Sequence, residues 1–194
     1  MSEIDMLKKR MRDQALSVRK VLPLRNRRQA DADITRRFLS LPAYKDAHLI
    51  LTYMSVGTEV ATTMLIQHAF NEGKLVAVPR CLSGRKLEFV KISSFNQLES
   101  APFNLLEPKK DLPPISQEEL VDSICVVPAL IIDYQGWRIG YGAGYYDRFL
   151  SNYSGEKIGL IRNQNLSETA LPHDNNDVAV DVIVTETQAI VCNR

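Results

Sequence analysis

The segment that most limits what this chain can become is Ser123-Ile-Cys-Val-Val127. Four apolar residues follow the serine without a polar residue among them. A half-buried strand alternates apolar and polar positions. An unbroken run of this kind suits a strand covered on both faces, and such strands sit inside sheets that carry helices on either side. The rest of the chain supplies matching parts. His48 to Tyr53, Leu75 to Val78, Leu87 to Val90, Lys157 to Ile161 and Val180 to Val184 read as further strands, the second and third of these paired through a turn at Ser83-Gly84. Thr62 to Asn71 reads as a helix stopped by Gly73, and Tyr145 to Leu150 as a short one. Strands alternating with helices predict an α/β fold with a sheet parallel at least in part. The stretch from Asn96 to Pro114 holds Pro102, Pro108, Pro113 and Pro114 and reads as loop.

The first 42 residues form a basic helical part ahead of an α/β core over 43–194, and no linker separates the two into different domains. Ile4, Leu7, Met11, Ala15, Val18 and Leu22 recur at steps of three and four, which places one apolar stripe on a helix ending before Pro23. Ala30, Ile34, Phe38 and Leu41 repeat the pattern before Pro42. Both stripes are expected to face the core, with Lys8, Lys9, Arg10, Arg12, Arg19 and Lys20 at the other positions. Residues 1–40 contain eleven Lys or Arg against five Asp or Glu, an excess of six in a chain whose net charge is only +1. A local excess can attract an anion; by charge alone it reads as a solvated helical face. A near-zero total and the absence of any RNA-binding signature argue against a nucleic-acid partner.

Other classes recede in turn. Charges interrupt the N-terminus too early for a secretory core, and the apolar stretch Ile124 to Ile132 is broken by Pro128 and too short for a bilayer, so a cytoplasmic protein is expected. Cys81, Cys125 and Cys192 are odd in number and far apart, which suits neither a disulfide framework nor a zinc site, and Cys125 reads as a buried thiol. His48, His68 and His173 lack metal-ligand spacing and read as structural.

Chemistry concentrates in Arg138-Ile-Gly-Tyr-Gly-Ala-Gly-Tyr-Tyr-Asp-Arg148, which leads from the buried strand into a helix. Ligands of α/β folds bind at the C-terminal ends of strands. Glycines at 140, 142 and 144 let backbone approach a ligand, and exposed N–H groups beside a helix start suit phosphate oxygens. The spacing matches neither the dinucleotide fingerprint, which would need glycine at Tyr145, nor a Walker loop. On spacing alone the glycines could serve a tight turn. Arg138 and Arg148 can pair with phosphate or carboxylate, and Asp147 would need a cation between itself and a phosphate. Tyr145 and Tyr146 offer flat faces to a heterocycle, with one of them expected to pack in the core.

This segment resembles the signature of the 5-formyltetrahydrofolate cyclo-ligase family, also called methenyltetrahydrofolate synthetase. Further blocks keep the family's order: Lys8 and Arg12, Tyr53-Met-Ser55 with Glu59-Val-Ala-Thr62, Val78-Pro79-Arg80, Phe103 to Pro108, and Leu171 through Asp177 to Glu186. Ala143 stands where the family often has another residue, adding only a methyl group, and Pro128-Ala129-Leu130 stands where Pro-Gly-Leu is usual. The resemblance implies a mixed, largely parallel sheet in a single compact domain. It implies ATP-dependent closure of 5-formyltetrahydrofolate to 5,10-methenyltetrahydrofolate with Mg²⁺ as cofactor, carried out by a monomer acting on small molecules. Lys8, Arg12, Arg138, Ile139, Gly140, Tyr141, Gly142, Ala143, Gly144, Tyr145 and Tyr146 are then expected at ATP. Met54, Glu59, Phe103, Tyr145 and the Tyr141–Gly144 segment are expected at the folate, and Asp147 and Asp177 at the metal, ahead of Asp181. Glu59 suits the adjacent donors of a pterin edge. No residue stands out as a general base.

Overall fold

The structure is a computed structural model and describes residues 3–193, the side chain of Phe103 apart. The elements run α1 (Glu3–Val21), α2 (Leu24–Ser40), α3 (Pro42–Asp46), β1 (Leu49–Leu51), α4 (Thr63–Asn71), β2 (Leu75–Leu82) and β3 (Lys86–Ile92). They continue with β4 (Leu98–Ala101), β5 (Leu105–Pro108), β6 (Ser123–Val127), β7 (Ile131–Asp133), β8 (Arg138–Ile139) and α5 (Tyr145–Leu150). The last are β9 (Glu156–Leu160), β10 (Leu166–Ser167), β11 (Val182–Val184) and β12 (Ala189–Val191).

The main sheet has the order β12-β11-β9-β6-β1-β2-β3. The five inner strands are parallel, and β3 and β12 close the edges antiparallel. The run Ser123–Val127 lies near the middle of the sheet, buried at all five positions. Period-two alternation divides the strands between two cores. Ile50, Ile124, Val126, Ile158, Val182 and Val184 meet Ile34 and Phe38 of α2, Tyr44 of α3 and Leu65 and Ile66 of α4. Leu49, Leu51, Cys125, Val127 and Ile183 face the other way, onto Leu150 of α5, Tyr153 and Ile132 of the small sheet β10-β7-β8. The expected α/β class, the mixed sheet and the buried Cys125 are present.

Three expectations need correction. The stretch 96–114 is not all loop, because β4 and β5 pair as a hairpin in which Leu98 faces Pro108. Pro102 falls at the turn and Pro108 at the strand end, where no ladder donor is lost, Pro113 and Pro114 lie beyond the hairpin, and Asn104 takes the left-handed conformation that closes the turn. The stripe of α1 is not wholly core-facing. Ile4 and Leu7 are exposed, and the buried residues of α1 are Ala15 and Arg19. The reason is placement: α1 packs against β8 and the turn at 163–165, beside the site rather than flat on the sheet. Arg19, expected on the solvent side, is 2% exposed and its Nη2 donates to the carbonyl of Ala129. Finally, β7, β8, β10 and β12 are only two or three residues long, too short to show a period, and Val180, expected to open a strand, precedes β11.

The strand order creates the crevice. From β1 the chain crosses by α4 to β2 on one side, whereas β6 leads to β9 on the other. The loops leaving the adjacent ends of β1 and β6 therefore part, which is where α/β sheets bind ligands.

Candidate functional site

A cavity of about 1040 Å³ opens at this parting point. Met54 and Glu59 enter it from the loop after β1, and Lys8 and Arg12 from α1. The loop from Arg138 to Gly144, the first residues of α5 and Asp177 complete its wall, and Leu105 to Glu107 of the β4–β5 hairpin cover it. Every residue expected at ATP, folate or metal lines this one cavity, except Phe103, whose side chain lies outside the described residues.

The glycine loop is held from behind. Asp133, buried at the end of β7, accepts from the N–H groups of Gln135 and Trp137 through Oδ1 and of Leu171 through Oδ2. That fixes the β7–β8 turn and draws the segment carrying Asp177 towards it. Gly142 has φ +95°, a conformation that strains any other residue, and a Cβ there would stand 2.9 Å from Arg12 Nη2 and push the guanidinium aside. Arg12 in turn donates Nε to Gly140 O at 2.8 Å, tying α1 to the loop. Arg148 does not line the cavity. It donates to the carbonyls of Arg85 and Ala143 and braces the loop against the β2–β3 turn.

Arg138 is the most unusual group in the wall. Its side chain is 4% exposed, and Nη1 donates to Asp147 Oδ1 at 2.9 Å. Nε and Nη2 are buried without a hydrogen-bond partner among the described residues. Buried donors are nearly always satisfied, so two orphans on one guanidinium beside a large cavity are an unmet demand for acceptor oxygens. Tyr146, the tyrosine that packs into the core, also has a buried, unpartnered hydroxyl.

The two metal candidates each rest on a cation. Asp147 receives Arg138 and the N–H of Val178, the latter at 3.3 Å, so the backbone next to Asp177 touches the Asp147 carboxylate. Asp177 receives Lys8 Nζ, and the N–H of Asp174 at 2.7 Å. Lys8 also reaches Asp174 at 3.1 Å. Partial burial pushes the Lys8 ammonium down, but the hydrogen bonds and charges of Asp177 and Asp174 outweigh this and leave it above its usual value. No group of three His, Cys, Asp or Glu among the described residues is placed to hold a metal alone. A cation here would take two carboxylates and complete its shell with ligand oxygens, which is how Mg²⁺ commonly sits beside phosphates. Asp181 lies elsewhere, paired with Lys157 at 3.1 Å.

On the loop after β1, Glu59 Oε2 accepts from the N–H of Val56 at 2.7 Å. Burial raises the Glu59 carboxyl above the ordinary range, opposed by that N–H, the Tyr141 hydroxyl and Arg19. The same burial, with Glu59 nearby, pushes the Tyr141 phenol up to about 12. Sequence reasoning missed Arg19, whose burial helical spacing concealed. It also missed Arg162 and Asp31, 131 residues apart, which pair behind Glu59. It missed the hairpin roof as well, where Cys81 is pushed up to about 12 by burial and Glu107, and so stays an unreactive thiol.

Comparison with known proteins agrees with this geometry. A family profile described as the 5-formyltetrahydrofolate cyclo-ligase family matches residues 5–186. The chain belongs to the 5-formyltetrahydrofolate cyclo-ligase family. The match runs from α1 past β11 and so takes in every element of the cavity wall. The chain is 30% identical over 173 residues to a "Probable 5-formyltetrahydrofolate cyclo-ligase" of Schizosaccharomyces pombe, covering 81% of this chain and 84% of that protein. It is 26% identical over 175 residues to the 5-formyltetrahydrofolate cyclo-ligase of Escherichia coli strain K12, covering 88% and 95%. The NMR structure of Aquifex aeolicus 5,10-methenyltetrahydrofolate synthetase superposes with a TM-score of 0.85 at 28% identity, over 97% of this chain and 94% of that one. The Aquifex aeolicus synthetase thus shares the fold of this chain over nearly its whole length.

Proposed function

We propose that this cyclo-ligase family member closes 5-formyltetrahydrofolate to 5,10-methenyltetrahydrofolate at the expense of ATP, with Mg²⁺ as cofactor. The observation that carries the reading is that one cavity gathers two kinds of group. Arg138, with two unpaired buried donors, stands beside Asp147, and Lys8 is paired with Asp177; Glu59 and Met54 line the same cavity. The first set suits a polyphosphate, the second a planar heterocycle with adjacent donors.

A formamide oxygen is a poor leaving group, which makes activation by phosphate the chemical requirement. The formyl oxygen attacks the γ-phosphorus; the new O–P bond forms as the bond to the β-phosphate oxygen breaks, and ADP departs. N10 then adds to the formyl carbon. The C–O bond breaks with release of phosphate, N10 loses its proton, and the C=N⁺ product remains. Phosphoryl transfer asks mainly for positioning and charge neutralisation. Arg138 would donate to phosphate oxygens, Lys8 and Arg12 would bracket the nucleotide from α1, and the Ile139–Tyr146 loop would supply N–H groups and flat faces. Glu59 would accept from the pterin edge, with Met54, Tyr145 and the Tyr141–Gly144 segment against the ring. Mg²⁺, held by Asp147, Asp177 and phosphate oxygens, supplies charge neutralisation when bound. On this reading the basic face of α1 serves the cavity rather than a nucleic acid, and the chain works as a cytoplasmic monomer. Folate labelled with ¹⁸O in the formyl group tests the chemistry. The label is expected in inorganic phosphate, and its appearance in water instead would overturn activation by phosphoryl transfer.

A further inference from the structure

We infer that Arg162 and Asp31 form a positioning pair that sets folate affinity by fixing the backbone of the Glu59 loop; this rests on the reading of Glu59 as the pterin acceptor. Arg162 follows β9 and is 2% exposed. Its Nε and Nη2 donate to the two oxygens of Asp31, each at 2.8 Å, in a fork-to-fork pair with α2. The remaining contacts go to the loop: Nη1 to Thr58 O and Nη2 to Glu59 O, both at 2.9 Å. Asp31 Oδ2 also accepts from the N–H of Ala61 at 3.3 Å. One buried ion pair therefore holds the loop at Thr58, Glu59 and Ala61.

Neither Arg162 nor Asp31 lines the large cavity; both line a smaller one of about 210 Å³ that Glu59 shares. A buried ion pair is weak evidence for stability, since well-packed apolar residues would often serve as well. What apolar residues could not do is grip two adjacent carbonyls in fixed directions, which the planar guanidinium does. The direction of the Glu59 carboxylate follows from its backbone and from the short bond to Val56 N. A bidentate acceptor must be held to within about 0.5 Å to be useful, and the pair supplies that constraint.

The test uses Asp31→Asn and Arg162→Lys in the full chain, with separate KM values for folate and ATP, kcat, and thermal melts. Both variants are expected to raise folate KM about tenfold while ATP KM moves less than about twofold, because the groups assigned to the nucleotide stand on other elements. Adding Glu59→Gln to Asp31→Asn is expected to cost nothing beyond Glu59→Gln alone, since the pair acts through that residue. An unchanged folate KM in an active, folded variant would overturn the inference and leave the cyclo-ligase reading standing. So would a lowered melting temperature with both KM values shifted alike, which is the signature of a merely structural pair. If Asp31→Asn does not fold, Arg162→Lys, which keeps the charge, carries the same comparison. Absence of turnover in the parent protein would instead mark failure of the cyclo-ligase reading, and with it this one.

Discussion

Replacing Arg138 by methionine separates a ligand-binding arginine from a structural one. The change removes one charge-assisted hydrogen bond to Asp147, of the order of 1.5–3 kcal/mol. It also removes two buried N–H-bearing nitrogens that have no partner, Nε and Nη2. Each unsatisfied buried group costs about 1–3 kcal/mol, so its removal returns a similar amount. Breaking a fully buried pair would strand the remaining charge at about 3–5 kcal/mol, but the Asp147 side chain is 22% exposed and keeps the N–H of Val178. The methionine chain also refills much of the arginine volume. These effects nearly cancel, and Arg138→Met is expected to unfold in urea within about 2 kcal/mol of the parent. Catalysis does not cancel. Without the two donors, kcat/KM for ATP is expected to fall about a hundredfold or more, as when a preorganised donor to developing charge is lost. A loss of more than about 3 kcal/mol in urea, with ATP kinetics unchanged, would refute the reasoning and make Arg138 a brace for Asp147.

Other outcomes follow from the same geometry. Glu59→Gln is expected to weaken folate binding without lowering the melting temperature at neutral pH: a carboxyl held above its unfolded value costs stability as pH rises through that raised value, and the amide escapes the cost. In the parent, folate affinity is expected to fall as acid protonates Glu59, starting at a higher pH than for an ordinary carboxylate, which a titration of KM against pH would show. Asp147→Asn is expected to raise the Mg²⁺ concentration needed for half-maximal rate about tenfold or more, with folate binding in the absence of nucleotide unchanged by calorimetry. Gly142→Ala meets Arg12 and a positive φ and is expected to lose about 1–2 kcal/mol and most nucleotide affinity, whereas Gly140→Ala, with open space at its Cβ, is expected to fold normally.

How much of this was legible in the sequence depended on range. The buried strand Ser123–Val127 and the loop Arg138–Gly144 are local features, and both stand where expected. The switch in strand order that parts the loops after β1 and β6 could not be read, because strand order is a long-range choice. Helical spacing assigned Arg19 to solvent, since spacing records which residues share a face and not what lies against it. The four prolines of 96–114 hid a hairpin in which Pro102 and Pro108 stand where strands tolerate them and beyond which Pro113 and Pro114 lie. The pairing of Arg162 with Asp31 joins a strand end to a distant helix, and neither residue carries a local signal. Lys8 and Arg12, by contrast, read as ligand contacts only through the family resemblance; the structure brings both to the cavity.

The most direct test of the central claim mixes the full chain with 5-formyltetrahydrofolate, ATP and Mg²⁺ and follows the near-ultraviolet absorbance of the methenyl product, omitting each component in turn. The expected result is a rise that requires all three and comes with one ADP per methenylfolate formed. A rise without ATP, or no rise from protein shown to be folded, would contradict the account.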